Sequence, residues 1–99
     1  SSDYFGLKTL LDCNEFDLKN KKVLILGTGG TSKTAYAVCE DSGASFLCKV
    51  SRSAKDGALS YEDVYEKHSD ASYIVNTTPA GMYPNLDGMP VDLRRFTNL

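Results

Sequence analysis

The stretch Val23-Leu24-Ile25-Leu26-Gly27-Thr28-Gly29-Gly30-Thr31-Ser32-Lys33-Thr34-Ala35 decides how this chain folds. Four apolar residues, typical of a parallel strand that is buried on both faces, run into a glycine-rich turn. A helical pattern follows, in which Ala35, Val38 and Cys39 face inward. Glycine lets the backbone turn sharply and approach a ligand, and the amides at a helix N-terminus attract an anion. The stretch therefore predicts a strand, a turn and a helix that bind a phosphorylated cofactor, and a dinucleotide is favoured.

Length and composition bound the remaining possibilities. The chain has 99 residues, which is enough for one small domain. Its net charge of −2 and pI near 5.2 argue against a nucleic-acid surface. It has no apolar run near the roughly 20 residues that span a membrane. The N-terminus does not have the pattern of a signal peptide. The three cysteines, Cys13, Cys39 and Cys48, have no close pair, so we expect reduced thiols in a cytoplasmic protein.

The rest of the chain alternates between helical and strand patterns. A first helix is predicted to be capped by Ser2 or Asp3. Its apolar face consists of Tyr4, Leu7, Leu10 and Leu11. The elements that follow are predicted as a strand at 23–26, a helix at 32–41, a strand at 45–50, a loop at 51–59, a helix at 60–67, a strand at 72–75, a loop at 76–90 and a helical turn within 91–97. This order predicts an α/β, Rossmann-like three-layer domain with a parallel sheet, built on residues 1–99.

A few side chains are expected to be structural only. Tyr61, Tyr65 and Tyr73 lie on or near the second crossover, where we expect them to pack. His68 has no cysteine or acidic partner at metal-ligand spacing, so we predict an exposed histidine and no metal site.

Two phosphate-binding motifs compete for the glycine turn. In the dinucleotide fingerprint G-x-G-x-x-[GA], Gly27 and Gly29 match, and Ser32 takes the place of the third small residue. In the P-loop G-x-x-x-x-G-K-[ST], Gly27, Lys33 and Thr34 match, but Ser32 replaces the second glycine. The sequence also has no clear strand that ends in a magnesium-binding aspartate. The dinucleotide interpretation is favoured, and a tight turn without a ligand stays open as an alternative.

The residues after the second predicted strand bear on which dinucleotide is bound. Enzymes that use NAD usually have an acidic residue there, which holds the ribose 2′-hydroxyl. This chain instead reads Val50-Ser51-Arg52-Ser53-Ala54-Lys55. Arg52 can stack on adenine or bind a 2′-phosphate, with Ser51, Ser53 and Lys55 as further donors. The segment therefore favours NADP, although a solvated loop would also explain its charges.

The segment Asn76-Thr77-Thr78-Pro79-Ala80-Gly81-Met82-Tyr83-Pro84 follows the third predicted strand. It resembles the N-[AT]-T-P-x-G-M signature of the shikimate dehydrogenases. The glycine turn resembles the G-A-G-G-A segment of that family, and Ser51-Arg52-Ser53 resembles its N-R-T clamp. Ser2-Asp3-Tyr4-Phe5-Gly6 resembles its T-D-x-x-G element. Four elements in the family's order cover nearly the whole chain.

This resemblance implies a role for each matching residue. The residues implied to bind NADP are Gly27, Thr28, Gly29, Gly30 and Thr31 at the pyrophosphate, Ser51, Arg52, Ser53 and Lys55 at the 2′-phosphate, and Asn76, Thr77 and Thr78 on the nicotinamide-ribose side. Asp3 matches the family's catalytic aspartate, which works beside a lysine at the reacting hydroxyl. The implied activity is the reversible reduction of 3-dehydroshikimate to shikimate with NADPH, a reaction of chorismate and aromatic amino-acid biosynthesis.

The chain also departs from the family pattern. Ser1 stands where the family has asparagine, Ser51 and Ser53 replace asparagine and threonine, and Lys55 lies one position early, before Asp56. The family's substrate-binding domain, with its N-V-T-x-P-x-K stretch and catalytic lysine, and its last C-terminal elements have no counterpart here. We therefore expect the chain alone to lack dehydrogenase activity. The alternatives are an NAD-using quinate/shikimate dehydrogenase domain and a nucleotide-binding module without catalysis.

Overall fold

The structure, a computed structural model, describes residues 2–55, 57–78 and 91–99. In chain order its elements are helix α1 (Ser2–Cys13), strand β1 (Lys22–Leu26), helix α2 (Gly30–Asp41), strand β2 (Phe46–Val50), helix α3 (Tyr61–Lys67), strand β3 (Tyr73–Asn76) and a 3₁₀ turn (Leu93–Arg95). The predicted order of helices and strands is confirmed, with shifts of one or two residues at most ends. From residue 79 onward, the predicted loop lies outside the described residues.

The three strands form a parallel sheet in the order β2-β1-β3. The register pairs Leu26 at the end of β1 with Val50 on one side and Asn76 on the other. The carboxyl ends of all three strands therefore lie level at one edge of the sheet. Because β1 lies between its neighbours, the strand order reverses at β1, which is the place where an open α/β sheet offers a ligand crevice.

Strand β1 is the centre of two apolar layers. Val23 and Ile25 face α1 and α2, whereas Leu24 and Leu26 face α3 and the C-terminal residues. The cluster on the first face contains Leu18, Val23, Ile25, Ala35 and Cys39. The cluster on the second face contains Leu24, Leu26, Val50, Val64, Ala71, Val91 and Phe96. Helical layers on both faces of the sheet confirm the predicted three-layer architecture.

Helix α1 packs less completely than its pattern predicts. Leu7 and Leu11 contact the first-face cluster, but Leu10 is 57% exposed, so its predicted inward position is wrong. A stripe made by residues four apart is narrow, and Leu10 lies about 100° away from Leu11 around the helix. The helix already includes Ser2, so Ser2 and Asp3 lie in its first turn and not at its cap as predicted.

The tyrosines on or near the second crossover pack against the core, whereas His68 does not lie exposed. Tyr61 and Tyr65 pack against the second-face cluster and Tyr73 against the first, as predicted. The prediction of an exposed His68 is wrong, because its ring is partly buried and stacks on the ring of Phe46 with centroids 4.6 Å apart.

The three cysteines are free thiols, and burial raises the pKa of two of them, Cys39 and Cys48, to about 11. Among the described residues, no helix is long and apolar enough to cross a membrane.

Candidate cofactor site

A cleft of about 630 Å³ opens at the carboxyl ends of the three strands. Its walls come from the turn after β1, the end of β2, the start of α3 and the residues after β3. The lining residues are Gly27, Thr28, Gly29, Gly30, Thr31, Val50, Ser51, Arg52, Tyr61, Thr77 and Thr78. The cleft thus lies at the reversal of strand order and contains the whole predicted glycine turn.

Gly27 makes the turn possible. Its φ of +108° lies in a region that other residues rarely adopt, and a Cβ at this position would lie 2.6 Å from Thr77 Oγ1. Its amide donates to the carbonyl of Val50 at 2.8 Å, which ties the turn to the end of β2. Glycine is therefore required here by both the backbone conformation and the close approach of Thr77.

The start of α2 lines the cleft through Gly29, Gly30 and Thr31. The N-cap is Gly29, which has no side chain to satisfy the free amides of the first turn, and that turn has no acidic residue. A Cβ on Gly29 or Gly30 would meet nothing within 4 Å among the described residues. The start of α2 is therefore open to an anion, which the amides and the helix dipole would stabilise.

Ser32 takes the place of the third glycine of the dinucleotide fingerprint, which permits close packing of the helix on the strand. The residue is fully buried, and its hydroxyl donates to the carbonyl of Gly29 at 2.6 Å. The side chain is small enough for close packing of helix on strand, and its only polar group is satisfied locally. Lys33, by contrast, lines a separate groove with Tyr36 and Lys49, away from the cleft. That position disfavours the P-loop interpretation, in which the lysine must reach the phosphates.

Ser51 and Arg52 bring hydrogen-bond donors and a positive charge to the end of β2. The amide of Ser51 donates to Leu59 O at 2.9 Å, and the amide of Leu59 donates to Lys49 O at 2.9 Å. The Ser51 hydroxyl is buried and has no hydrogen-bond partner among the described residues. Ser53 and Lys55 are exposed and do not line the cleft, so their predicted contact with the 2′-phosphate stays a prediction.

The residues after β3 form the wall of the cleft on the other side of β1 from the end of β2. Thr77 donates to Leu26 O through both its amide, at 2.9 Å, and its hydroxyl. Asn76 Oδ1 accepts from the amide of Thr78 at 2.9 Å and from its hydroxyl at 2.7 Å. Thr77 and Thr78 line the cleft. Asn76 does not line it, but its hydrogen bonds fix the position of Thr78.

Tyr61 also lines the cleft, which the sequence interpretation did not anticipate because it treated this residue only as a packing residue. Burial raises the pKa of the Tyr61 phenol, and the positive charge of Arg52 opposes that increase. The hydrogen bonds between Leu59 and β2 help to bring Tyr61 to the cleft, and such long-range bonds have no local sequence pattern.

Asp3 lies beside the cleft and not inside it. It is exposed on the first turn of α1, in a second depression of about 430 Å³ whose other lining residues are Ser2, Gly6, Leu7, Thr31 and Thr34. Thr31 lines both the cleft and this depression. The two cavities therefore adjoin at the start of α2.

The fold and the cleft define a Rossmann-like α/β domain with a candidate nucleotide site at its switch point. No protein-family model matches the chain. The chain is 33% identical, over 101 residues, to a shikimate dehydrogenase (NADP(+)) from Clostridium beijerinckii, and the match covers 93% of this chain and 37% of the relative. A shikimate dehydrogenase (NADP(+)) from Clostridium perfringens strain SM101 is 32% identical, and the match covers 92% of this chain and 37% of that relative.

Two solved structures give the same result. Shikimate dehydrogenase 1 from Peptoclostridium difficile superimposes with a TM-score of 0.79 at 37% identity, covering 93% of this chain and 36% of that protein. A chorismate mutase/shikimate 5-dehydrogenase fusion protein from Clostridium acetobutylicum superimposes with a TM-score of 0.81 at 27% identity. The match covers 93% of this chain and 36% of that protein. The predicted resemblance to the shikimate dehydrogenases is confirmed. The chain spans little more than a third of the length of these relatives.

Proposed function

We propose that the cleft binds NADP(H) and that residues 1–99 are the cofactor-binding part of a shikimate dehydrogenase. The observation that carries the proposal is the presence in one cleft of the uncapped start of α2 and, at the end of β2, Arg52. The relatives named above are called NADP(+) enzymes, which supports the same cofactor here. A cytoplasmic location is part of this proposal and accords with the three free thiols.

The cleft suits both phosphate positions of NADP. The amides at the start of α2 would hold the pyrophosphate, since Gly29 and Gly30 let the backbone approach it closely. The guanidinium of Arg52 would hold the 2′-phosphate with two parallel hydrogen bonds. Ser51 supplies a hydroxyl that has no other partner among the described residues. The described lining residues include no carboxylate that would repel the extra phosphate, which favours NADP over NAD.

The reaction proposed for the whole enzyme is the reversible reduction of 3-dehydroshikimate to shikimate. Bound NADPH supplies the hydride, and the protein orients the reactants and moves the proton. We propose that Asp3 acts at the reacting hydroxyl together with a lysine from the substrate-binding domain. The adjoining cavities that share Thr31 support this assignment, because they put an accessible carboxylate next to the proposed cofactor cleft.

Calorimetric titration of the 99-residue chain with NADP⁺ and NAD⁺ tests the cofactor. We expect tighter binding of NADP⁺, and we expect Arg52→Ala to weaken NADP⁺ binding by about tenfold or more while changing NAD⁺ binding little. A charge-assisted hydrogen-bond pair of about 1.5–3 kcal/mol sets that magnitude. Arg94→Ala is the matched control, because Arg94 is exposed and pairs with Asp92 in the 3₁₀ turn.

Equal affinity for the two dinucleotides, or an Arg52→Ala chain that keeps its NADP⁺ affinity, would contradict the clamp. Binding of magnesium-ATP in preference to either dinucleotide would instead favour the P-loop interpretation, against the position of Lys33.

A further inference from the structure

Tyr61 lies at the proposed cofactor site and has no role in it so far beyond packing. Its side chain lines the cleft, on the same side as Arg52 and the end of β2. It is partly buried, and its ring packs against the second-face cluster that includes Leu24, Leu26 and Val50. Arg52 lines the same cleft, so the ring and the guanidinium are both accessible to one ligand bound there.

The backbone holds Tyr61 from both sides. On its N-terminal side, Leu59 is hydrogen-bonded to β2 through Lys49 and Ser51. On its C-terminal side, α3 begins under a side-chain cap, in which the Ser60 hydroxyl accepts from the amide of Asp63 at 3.1 Å. Because the backbone is held and the ring packs against the second-face cluster, Tyr61 loses little conformational freedom when a ligand stacks on it.

We propose that Tyr61 is the aromatic wall of the adenine subsite, on which the adenine ring of the dinucleotide stacks while Arg52 holds the adjacent 2′-phosphate. This inference rests on the proposed function and assigns one end of the dinucleotide within the same cleft. A tyrosine face suits a flat heteroaromatic base because stacking needs only a π-surface and no particular hydrogen-bond pattern.

The test measures dissociation constants of the 99-residue chain for three probes: NADP⁺, adenosine 2′,5′-bisphosphate and inorganic pyrophosphate. Tyr61→Leu should weaken the two adenine-containing probes by about tenfold and leave pyrophosphate unchanged, since stacking acts only on the base. Tyr61→Phe should stay within about twofold of the original chain, because the ring is kept. Tyr36→Leu is the matched control, a partly buried tyrosine on α2 outside the cleft.

A second readout does not depend on any variant. In the original chain saturated with adenosine 2′,5′-bisphosphate, nuclear Overhauser contacts are expected between the adenine protons and the Tyr61 ring. Their absence, or unchanged affinity of Tyr61→Leu for adenine-containing probes, would overturn the assignment of Tyr61 and leave the proposed function standing. Failure of the original chain to bind NADP⁺ and the bisphosphate would overturn both.

Discussion

Gly27 is the residue on which the geometry of the cleft depends most directly. Gly27→Ala would force a side chain into a backbone conformation with φ of +108° and put its Cβ 2.6 Å from Thr77 Oγ1. We expect a loss of about 2 kcal/mol or more in the free energy of unfolding, because strain of about 1–3 kcal/mol adds to the steric conflict. Urea denaturation followed by circular dichroism measures the change.

Two further variants separate the causes of that loss. Gly30→Ala serves as the control, because its Cβ would meet nothing within 4 Å among the described residues and its stability should stay within about 0.5 kcal/mol. The double variant Gly27→Ala, Thr77→Ala removes the conflict but not the backbone strain, so partial recovery is expected. If Gly27→Ala proves as stable as Gly30→Ala, the turn does not have this conformation.

At the scale of single residues, the sequence predicts local chemistry well and long-range contacts poorly. Arg52 could be placed beside the cleft because it follows an apolar strand, and parallel strand ends share one edge. Tyr61 could not, because its position depends on the hydrogen bonds between Leu59 and β2. Ser53 and Lys55 follow Arg52 closely in the sequence, yet Arg52 lines the cleft and they do not.

At the scale of elements, the short helix α3 depends on its cap. The helix has seven residues, too few to be stable by itself, and the hydroxyl of Ser60 accepts from Asp63 N at 3.1 Å. We expect Ser60→Ala to lower the free energy of unfolding by about 1 kcal/mol, the usual cost of losing such a cap. Thermal and urea denaturation would both report the loss.

The matched control for this change is Ser45→Ala. The Ser45 hydroxyl donates to Lys21 O in an exposed position, and that carbonyl also accepts from the amide of Ser45 at 2.9 Å. Its removal should therefore cost much less than the cap does. Equal losses for the two variants would contradict the capping role of Ser60.

The order of helices and strands was predictable because the spacing of apolar residues in each segment reflects how that segment is buried. The four apolar residues of β1 are fully buried on two faces, and Ser60 opens α3 as expected. The position of β1 between its neighbours was not predictable, since parallel pairing of β3 with β1 joins residues about fifty positions apart. The exposure of Leu10 was not predictable either. Leu10 fits the helical spacing of apolar residues, but packing against the rest of the chain decides which side of the helix is covered.

At the scale of the whole molecule, one cluster joins several elements at the amino edge of the sheet, opposite the cleft. The ring of His68 stacks on Phe46, and Lys22 Nζ lies 5.1 Å from the centroid of the Phe46 ring. Lys22 also pairs with Asp70 at 2.6 Å. The His68 Nδ1 atom is buried without a hydrogen-bond partner among the described residues. Strands β1 and β2, the end of α3 and the turn before β3 thus meet around one titratable ring.

This cluster makes stability depend on pH. Burial and then the charge of Lys22 lower the pKa of His68 below its usual value of 6.5, against the opposing effect of Asp70. The unfolded chain therefore binds a proton that the folded chain resists, so stability is complete above about pH 6.5 and falls as the pH drops through the lowered pKa.

We expect the free energy of unfolding to decline as the pH falls from 7 into the range below about 6.5. The chain has only one histidine to which this decline can be assigned. The lowered pKa of Asp70, held down by Lys22, acts only in more acidic solution, below its usual value of 3.8. His68→Gln should flatten the decline whatever its effect on stability at neutral pH, since glutamine does not titrate. Urea denaturation across this range compares the two slopes, and parallel slopes would show that His68 is not the group responsible.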